Sequence, residues 1–177
     1  ALAGLLAHER ELLAQLSSGQ QPELAALLRL LAEHRRPPLR SVTIGHSRDD
    51  ASRTAAAAFA DAWHAAGNAV LAVVDWPEQA ASWLRPAQRL TDREPDALVI
   101  AAAPLGWAQL ARRLRHSTSW RPDRTFGFAS LAEPVAAALA GPGVLDGVRG
   151  ASADGGTWRI ESGWTASFPP LAPGAAV

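Results

Sequence analysis

The dominant pattern in this sequence is an alternation of short apolar runs with longer segments of helical periodicity. Four apolar runs predict strands, near residues 41–45, 69–74, 97–102 and 125–129. The second and third runs are almost wholly apolar, which is typical of parallel strands covered on both faces. Because a helical segment follows each strand, the pattern predicts βαβ units, right-handed crossovers and a three-layer α/β sandwich with a mainly parallel sheet.

The segments between these runs predict helices at 51–66, 78–92, 104–115 and 132–140. In the first of them, Phe59 and Trp63 share a face with several alanines, so we expect both rings to be buried against the sheet. Asp50 or Ser52 is suited to cap this helix. Pro86 is expected to kink or split the second helix.

The two ends of the chain differ from this repeating part. Leucines at helical spacing predict two N-terminal helices, one at 2–17 and a second opened by Pro22. After the fourth strand, 145–151 predicts a short strand, and residues 158–160 and 163–168 can pair as late strands. We therefore expect three parts, namely an N-terminal helical segment at 1–38, an α/β domain at 39–168 and an extended tail at 169–177.

Composition removes several classes of function. The chain has 17 basic and 17 acidic residues, so charge gives no support for binding to nucleic acid or to an anionic membrane. All of the basic residues are arginine, and there is no cysteine for a disulfide or a thiolate ligand. No apolar run approaches the roughly 20 residues of a membrane span.

Known catalytic and ligand-binding motifs are also missing. The five histidines lack metal-binding spacings, and the chain contains neither a G-x-G-x-x-G nor a phosphate-binding loop. It also has no G-x-S-x-G nucleophile motif. The sequence therefore predicts neither a metal nor a cofactor, and it shows no set of residues that requires catalysis.

The best-placed polar residues follow the first predicted strand. In open α/β sheets, ligands bind at the carboxyl ends of the strands. The loops at that edge give a candidate surface for a ligand or a partner, made of His46, Ser47, Arg48, Asp49, Trp76, Pro104 and Trp107. Two plainer interpretations stay open: the first loop only caps the next helix, and the tryptophans only fill the core.

Several segments resemble the second lobe of type I periplasmic binding proteins. They are Asp49 and Arg53 ahead of the run 57–67, then 95–100, 126–130 and the turn-forming stretch 145–155. Within that superfamily, the chain is most similar to the LpoA-type lipoprotein activators of penicillin-binding proteins. That likeness is carried by residues Ser52, Arg53, Ala58, Phe59, Trp63 and Gly67 and by the ending Trp158 to Trp164.

The resemblance covers residues 40–168 and implies a non-enzymatic protein of the periplasm or cell envelope, whose full-length form would be an outer-membrane lipoprotein. In the activator branch it would bind a peptidoglycan synthase and regulate cell-wall synthesis. The alternative is a solute-binding protein of an ABC importer or receptor that takes an amino acid or a similar small polar solute. An enzyme or receiver-like domain is a third hypothesis, weakened because receivers need a lysine and this chain has none. A chain of 177 residues is short for two lobes, so we expect an incomplete cleft.

Overall fold

The computed structural model describes residues 21–172, and their strands form one seven-stranded sheet. The strands are β1 Ser41–Ser47, β2 Ala69–Trp76, β3 Ala97–Ala101, β4 Thr125–Gly127, β5 Arg149–Ala151, β6 Thr157–Glu161 and β7 Trp164–Phe168. Their order across the sheet is β2-β1-β3-β4-β5-β6-β7. Strands β1 to β5 pair in parallel with one another, whereas β6 is antiparallel to β5 and β7 is antiparallel to β6. The predicted α/β class with a mainly parallel sheet is confirmed.

Helices cover both faces of this sheet. Side chains alternate between faces along a strand, so Val99 and Ile100 of β3 belong to two separate hydrophobic cores. The helices are α1 Gln21–Glu33, α2 Asp50–Ala65, α3 Leu84–Thr91, α4 Pro104–Ser117 and α5 Pro134–Ala140. The core around Val99 contains residues of α1 and α2, and the core around Ile100 contains residues of α3, α4 and α5. This arrangement is the predicted three-layer sandwich.

Helix α2 packs on the sheet through its aromatic face. Phe59 is 0% exposed and Trp63 is 4% exposed, so the prediction that both are buried is confirmed. The cap was assigned wrongly, because neither Asp50 nor Ser52 fills that position. Asp49 does so in an extended conformation, and its carboxylate accepts a hydrogen bond from the backbone N–H of Ser52.

The helix expected at 78–92 is shorter than its pattern suggests. Residues 77–83 are irregular, and α3 begins only at Leu84. Pro86 therefore lies in the first turn, where a backbone N–H has no partner within the helix, and no kink follows. The strand predicted at 145–151 is also too long, because only Arg149–Ala151 forms a strand, β5. The preceding residues form turns, in which Gly147 has a φ of 100°.

The late strands pair as predicted in a hairpin of β6 and β7. Its two-residue turn has positive φ at both Ser162 (50°) and Gly163 (80°), as a type I′ turn requires. Trp164 opens the edge strand β7 and is 79% exposed. Beyond it, 169–172 are neither helix nor strand, and the rest of the predicted tail lies outside the described residues.

The second predicted N-terminal helix corresponds to α1, whereas the first, at 2–17, lies outside the described residues. Helix α1 is part of the same core as α2, because Leu27 and Leu31 are buried among residues of the sheet. Over residues 21–172, no helix has the length and apolar character needed to cross a membrane.

Asp96 joins the starts of two neighbouring strands. Its carboxylate accepts hydrogen bonds from the backbone N–H groups of Arg40, at 2.9 Å, and Ser41, at 3.0 Å. Partial burial alone would raise the pKa of Asp96. Its hydrogen bonds with the backbone of Arg40 and with Ser41, together with the charge of Arg124, outweigh burial and hold the pKa below its ordinary value.

A depressed pKa makes part of the stability depend on pH. The ionised Asp96 stabilises the folded state at neutral pH, and this contribution is lost as the pH falls below about 4, through the folded pKa. We expect Asp96→Asn to lower the free energy of unfolding at pH 7, with a deficit that shrinks towards pH 3. Urea denaturation at several pH values measures this, with Asp61→Asn on the exposed side of α2 as control. A deficit that does not vary with pH would contradict it.

Candidate functional site

A cleft of about 370 Å³ lies at the carboxyl ends of β1, β3 and β4. Alanines form much of its wall, so the backbone and a few polar side chains are accessible. The start of α2 and the first residue of α4 border it, and helix N-termini carry partial positive charge. The residues that line the cleft are Glu23, Asp49, Ala51, Ser52, Ala55, Ala101, Ala102, Ala103, Pro104, Phe128, Ala129 and Ser130.

Ser47, at the end of β1, forms hydrogen bonds with two of the loops that border this cleft. Its hydroxyl donates to the carboxylate of Asp49 and accepts from the backbone N–H of Ala103 at 2.9 Å. The hydroxyl of Ser52 lies 3.0 Å away. Ser47 is only 1% exposed, so it supports the loops from beneath and is not itself among the lining residues.

Asp49 is the carboxylate at the start of α2. Burial alone would raise the pKa of Asp49, but hydrogen bonds from Ser47 and Ser52 stabilise the charged form and bring the pKa below its usual value. The same carboxylate caps α2 through the N–H of Ser52, at 2.9 Å. Asp49 is therefore a fixed negative charge at the rim of the cleft at neutral pH.

Glu23 supplies a second carboxylate from the first turn of α1. One of its oxygens accepts a hydrogen bond from the backbone N–H of Ala129 at 2.6 Å, which ties α1 to the loop after β4. Burial raises the pKa of Glu23, and the bond from Ala129 only partly opposes this. In that same loop, the Ser130 hydroxyl donates to the carbonyl of Ala102 at 2.6 Å.

The structure brings some of the predicted site residues to the cleft and leaves others beside it. Asp49 and Pro104 line the cleft, and Ser47 lies beneath it. His46 is partly buried, with its Nδ1 atom 2.9 Å from the Ser47 carbonyl. Arg48 is half exposed outside the cleft and pairs with Asp75 at 3.1 Å. Exposed pairs of this kind contribute little stability.

Trp76 and Trp107 require a correction, because neither side chain reaches the surface. Trp76 is 1% exposed and Trp107 is 0% exposed, and both belong to the core between the sheet and α3–α5. Trp76 shares the inward face of β2 with Val74, and Trp107 packs edge-on against Trp120 at 6.2 Å. The plainer interpretation, that these rings fill the core, describes them.

Electrostatically, the cleft combines two carboxylates with the starts of two helices. Its lining contains no arginine, histidine or cysteine. Within residues 21–172, no three histidine, aspartate or glutamate side chains come together as metal ligands would. Both helix starts already hold a carboxylate of this chain, since Asp49 accepts from the backbone N–H of Ser52 and Glu78 accepts from that of Gly106. Such a cleft can hold a positive group near Glu23 and Asp49.

No protein-family model and no curated protein matches this sequence. Solved structures do match. A substrate-binding periplasmic protein from Ralstonia solanacearum superposes with a TM-score of 0.61 at 16% identity, over 72% of this chain and 35% of its own. An extracellular ligand-binding receptor from Rhodopseudomonas palustris gives 0.62 at 16% identity, over 73% and 34% respectively.

A leucine-binding protein from Thermotoga maritima gives a TM-score of 0.59 at 15% identity, over 70% of this chain and 34% of its own. The chain thus spans about a third of the length of the proteins that it matches. At such identities the likeness shows the fold alone. The described residues have the fold of one lobe of a type I periplasmic binding protein, as the sequence resemblance implied.

Proposed function

We propose that this chain is a solute-binding lobe whose carboxyl-edge cleft takes a small zwitterionic solute, such as an amino acid. The observation that carries the proposal is the cleft itself, which lies where open α/β sheets bind ligands and contains two carboxylates. The solved proteins with this fold are named as ligand-binding or substrate-binding proteins, and one as leucine-binding. This supports the solute-binding hypothesis over regulation of a synthase.

The ammonium group of an amino acid complements the charge of the cleft. It would lie against Glu23 and Asp49, and the low pKa of Asp49 keeps that carboxylate ionised at neutral pH. The carboxylate of the solute would point out of the cleft, because Asp49 already caps α2 and Glu78 already accepts from the N–H of Gly106 in α4. A volume of about 370 Å³ is near the lower end of ligand-site volumes, which suits a solute of this size.

The proposed role is binding without catalysis, and it requires neither a metal nor a cofactor. No imidazole lines the cleft to act as a base for the hydroxyls of Ser52 and Ser130. We place the protein in the periplasm or cell envelope, because the neighbour from Ralstonia solanacearum is named as periplasmic and the one from Rhodopseudomonas palustris as extracellular. The resemblance given by the sequence implies a ligand held between two lobes, and the described residues supply one of them.

The synthase-regulator hypothesis takes second place. It is carried by sequence motifs at 52–67 and 158–164, and nothing in the described fold distinguishes it from solute binding. Capture of a peptidoglycan synthase from an envelope extract, with no effect of any amino acid on the protein, would reverse this order.

The role of each charge can be tested with leucine and two analogues that each lack one charge. Isoamylamine has no carboxylate, and 4-methylpentanoate has no ammonium group. Leucine at ten times its Kd should stabilise the fold by about 1.4 kcal/mol, which raises the melting temperature by about 3–6 °C. 4-Methylpentanoate should have a much smaller effect, because it lacks the ammonium group that Glu23 and Asp49 would bind, whereas isoamylamine should retain most of the shift.

A matched pair of variants locates the binding. Asp49→Asn retains a capping side chain but removes the charge, so it should abolish the shift caused by leucine. Asp50→Asn makes the same change at the next residue, outside the lining, and should leave the shift intact. The proposal fails if none of the twenty amino acids shifts the melting temperature, or if both variants lose the shift equally.

A further inference from the structure

A second concave surface lies on the outer side of α4, away from the solute cleft. We call it the basic groove, and its volume is about 760 Å³. We propose that the basic groove binds an acidic, amphipathic segment of a partner protein. The residues that line it are Trp83, Gln109, Arg112, Arg113, Arg115, His116, Leu139, Ala140 and Val144.

The basic groove and the solute cleft lie towards opposite ends of the same helix. Pro104, the first residue of α4, lines the cleft, while the basic residues of the groove begin at Arg112. Eight residues of α-helix separate these positions by about 12 Å along the axis. The proposed partner therefore does not occupy the solute site, and this inference does not depend on the solute.

Unbalanced positive charge is the first feature that points to the partner. Arg112, Arg113 and Arg115 are exposed, and no acidic residue lines the groove. The ion pairs found among residues 21–172 involve other arginines, namely Arg29, Arg48, Arg121 and Arg159. Within that range, the side-chain hydrogen bond found for Arg112, Arg113 and Arg115 is a long one, from Arg113 to the Ser117 hydroxyl at 3.4 Å.

The helix dipole accounts for only part of this cluster. Cations in the last turn of a helix are stabilised by the partial negative charge there, which suits Arg115. Arg112 and Arg113 lie one turn earlier, where the effect has fallen away. Like charges three or four residues apart on a helix repel each other, so the pair of Arg112 and Arg115 destabilises α4 unless negative charge compensates it.

The apolar part of the lining identifies the class of partner. Leu139 is 49% exposed and Val144 is partly exposed, while Trp83 and Ala140, at 8% and 2% exposed, form the floor beneath them. Trp83 is held in place, because its indole N–H donates to Gln109 at 2.8 Å. A partner that satisfies both features carries carboxylates and apolar side chains together. An amphipathic acidic peptide has this composition, whereas a phosphate polymer offers charge without apolar side chains.

A second copy of the same chain is a poor occupant. A two-fold contact between identical grooves would oppose arginines with arginines, and like charges across an interface cost several kcal/mol. Arginine is among the residue types that most often dominate binding energy at such surfaces, and the three arginines of the groove are exposed.

A designed peptide tests the proposal on the whole chain. The probe is a fluorescein-labelled peptide of sixteen residues, with glutamates on one face of a helix and leucines on the other, and binding is followed by fluorescence anisotropy. We expect saturable binding that weakens as salt is raised, because exposed charges are screened. Arg112→Glu combined with Arg113→Glu should weaken binding at least tenfold.

The control is Arg35→Glu combined with Arg36→Glu, which makes the same change of net charge at another exposed pair of arginines. Its affinity for the peptide should stay within twofold of the unmodified protein, and thermal unfolding verifies that both variants are folded. Equal losses in the two variants would overturn the proposal, as would the absence of peptide binding. Tighter binding of a leucine-free polyglutamate or of an oligonucleotide would also overturn it, since the groove would then recognise charge alone.

Discussion

Replacing Trp63 with alanine should lower the free energy of unfolding by about 3–5 kcal/mol. The indole ring is 4% exposed and stacks on Phe59, with 5.6 Å between the ring centroids. Its Nε1–H group donates to the carbonyl of Ala69 at 3.0 Å, which ties α2 to the start of β2. The substitution therefore removes a large apolar contact and leaves a carbonyl without that donor. Urea denaturation with an unchanged m value measures the loss.

Two further variants separate the loss of buried contact from the loss of the hydrogen bond and from the removal of a tryptophan as such. Trp63→Phe keeps much of the buried ring but not the hydrogen bond, so its cost should be clearly smaller than that of the alanine variant. Trp164→Ala removes the same side chain from a position that is 79% exposed, and it should change stability by less than about 0.5 kcal/mol. If Trp63→Ala costs less than about 1 kcal/mol, the packing of α2 on the sheet described above is wrong.

The central layer of the fold was predictable because parallel strands buried on both faces leave a continuous apolar run. The segment that became β3 carries that signal directly, since all five of its residues are buried. The apolar run of β2 also predicted a strand, but β2 lies at the edge of the sheet and only Val74 and Trp76 are buried in it. Helix α2 was predictable for a related reason, since its alanines and two aromatic residues recur at helical spacing. The start of α3 was not predictable from the sequence. Residues 78–83 have a composition that suits a helix, but tertiary contacts hold them in an irregular conformation, including the hydrogen bond from Trp83 to Gln109.

The candidate site was predicted only in part. Asp49 and Pro104 were found because each follows a strand, and strand ends share one edge of a parallel sheet. The same rule placed Trp76 at the surface, although its alternation with Val74 directs it inward. Glu23 was missed because its contact with Ala129 joins residues 106 positions apart. No local periodicity contains that information.

Gly150→Ala should be among the most destabilising single substitutions in the described chain, with a cost of about 3 kcal/mol or more. Gly150 lies in β5, between β4 and β6. A β-carbon there would overlap the carbonyl oxygen of Gly127 and lie 2.6 Å from Cζ2 of Trp158. The first neighbour is backbone of a parallel strand, and the second is a ring that is 1% exposed. Neither can move without opening the sheet or the core.

A second glycine separates this steric effect from backbone conformation. Gly67 has a φ of 82°, and a β-carbon added there would have no neighbour within 4 Å, so Gly67→Ala should cost only the left-handed strain, about 1–2 kcal/mol. Gly150 lies outside the left-handed region, so its larger cost would come from the close approach of β4 and β5 alone. Thermal and urea unfolding of both variants compare the two effects. A Gly150→Ala protein as stable as the Gly67→Ala protein would show that β4 and β5 are not paired in this register.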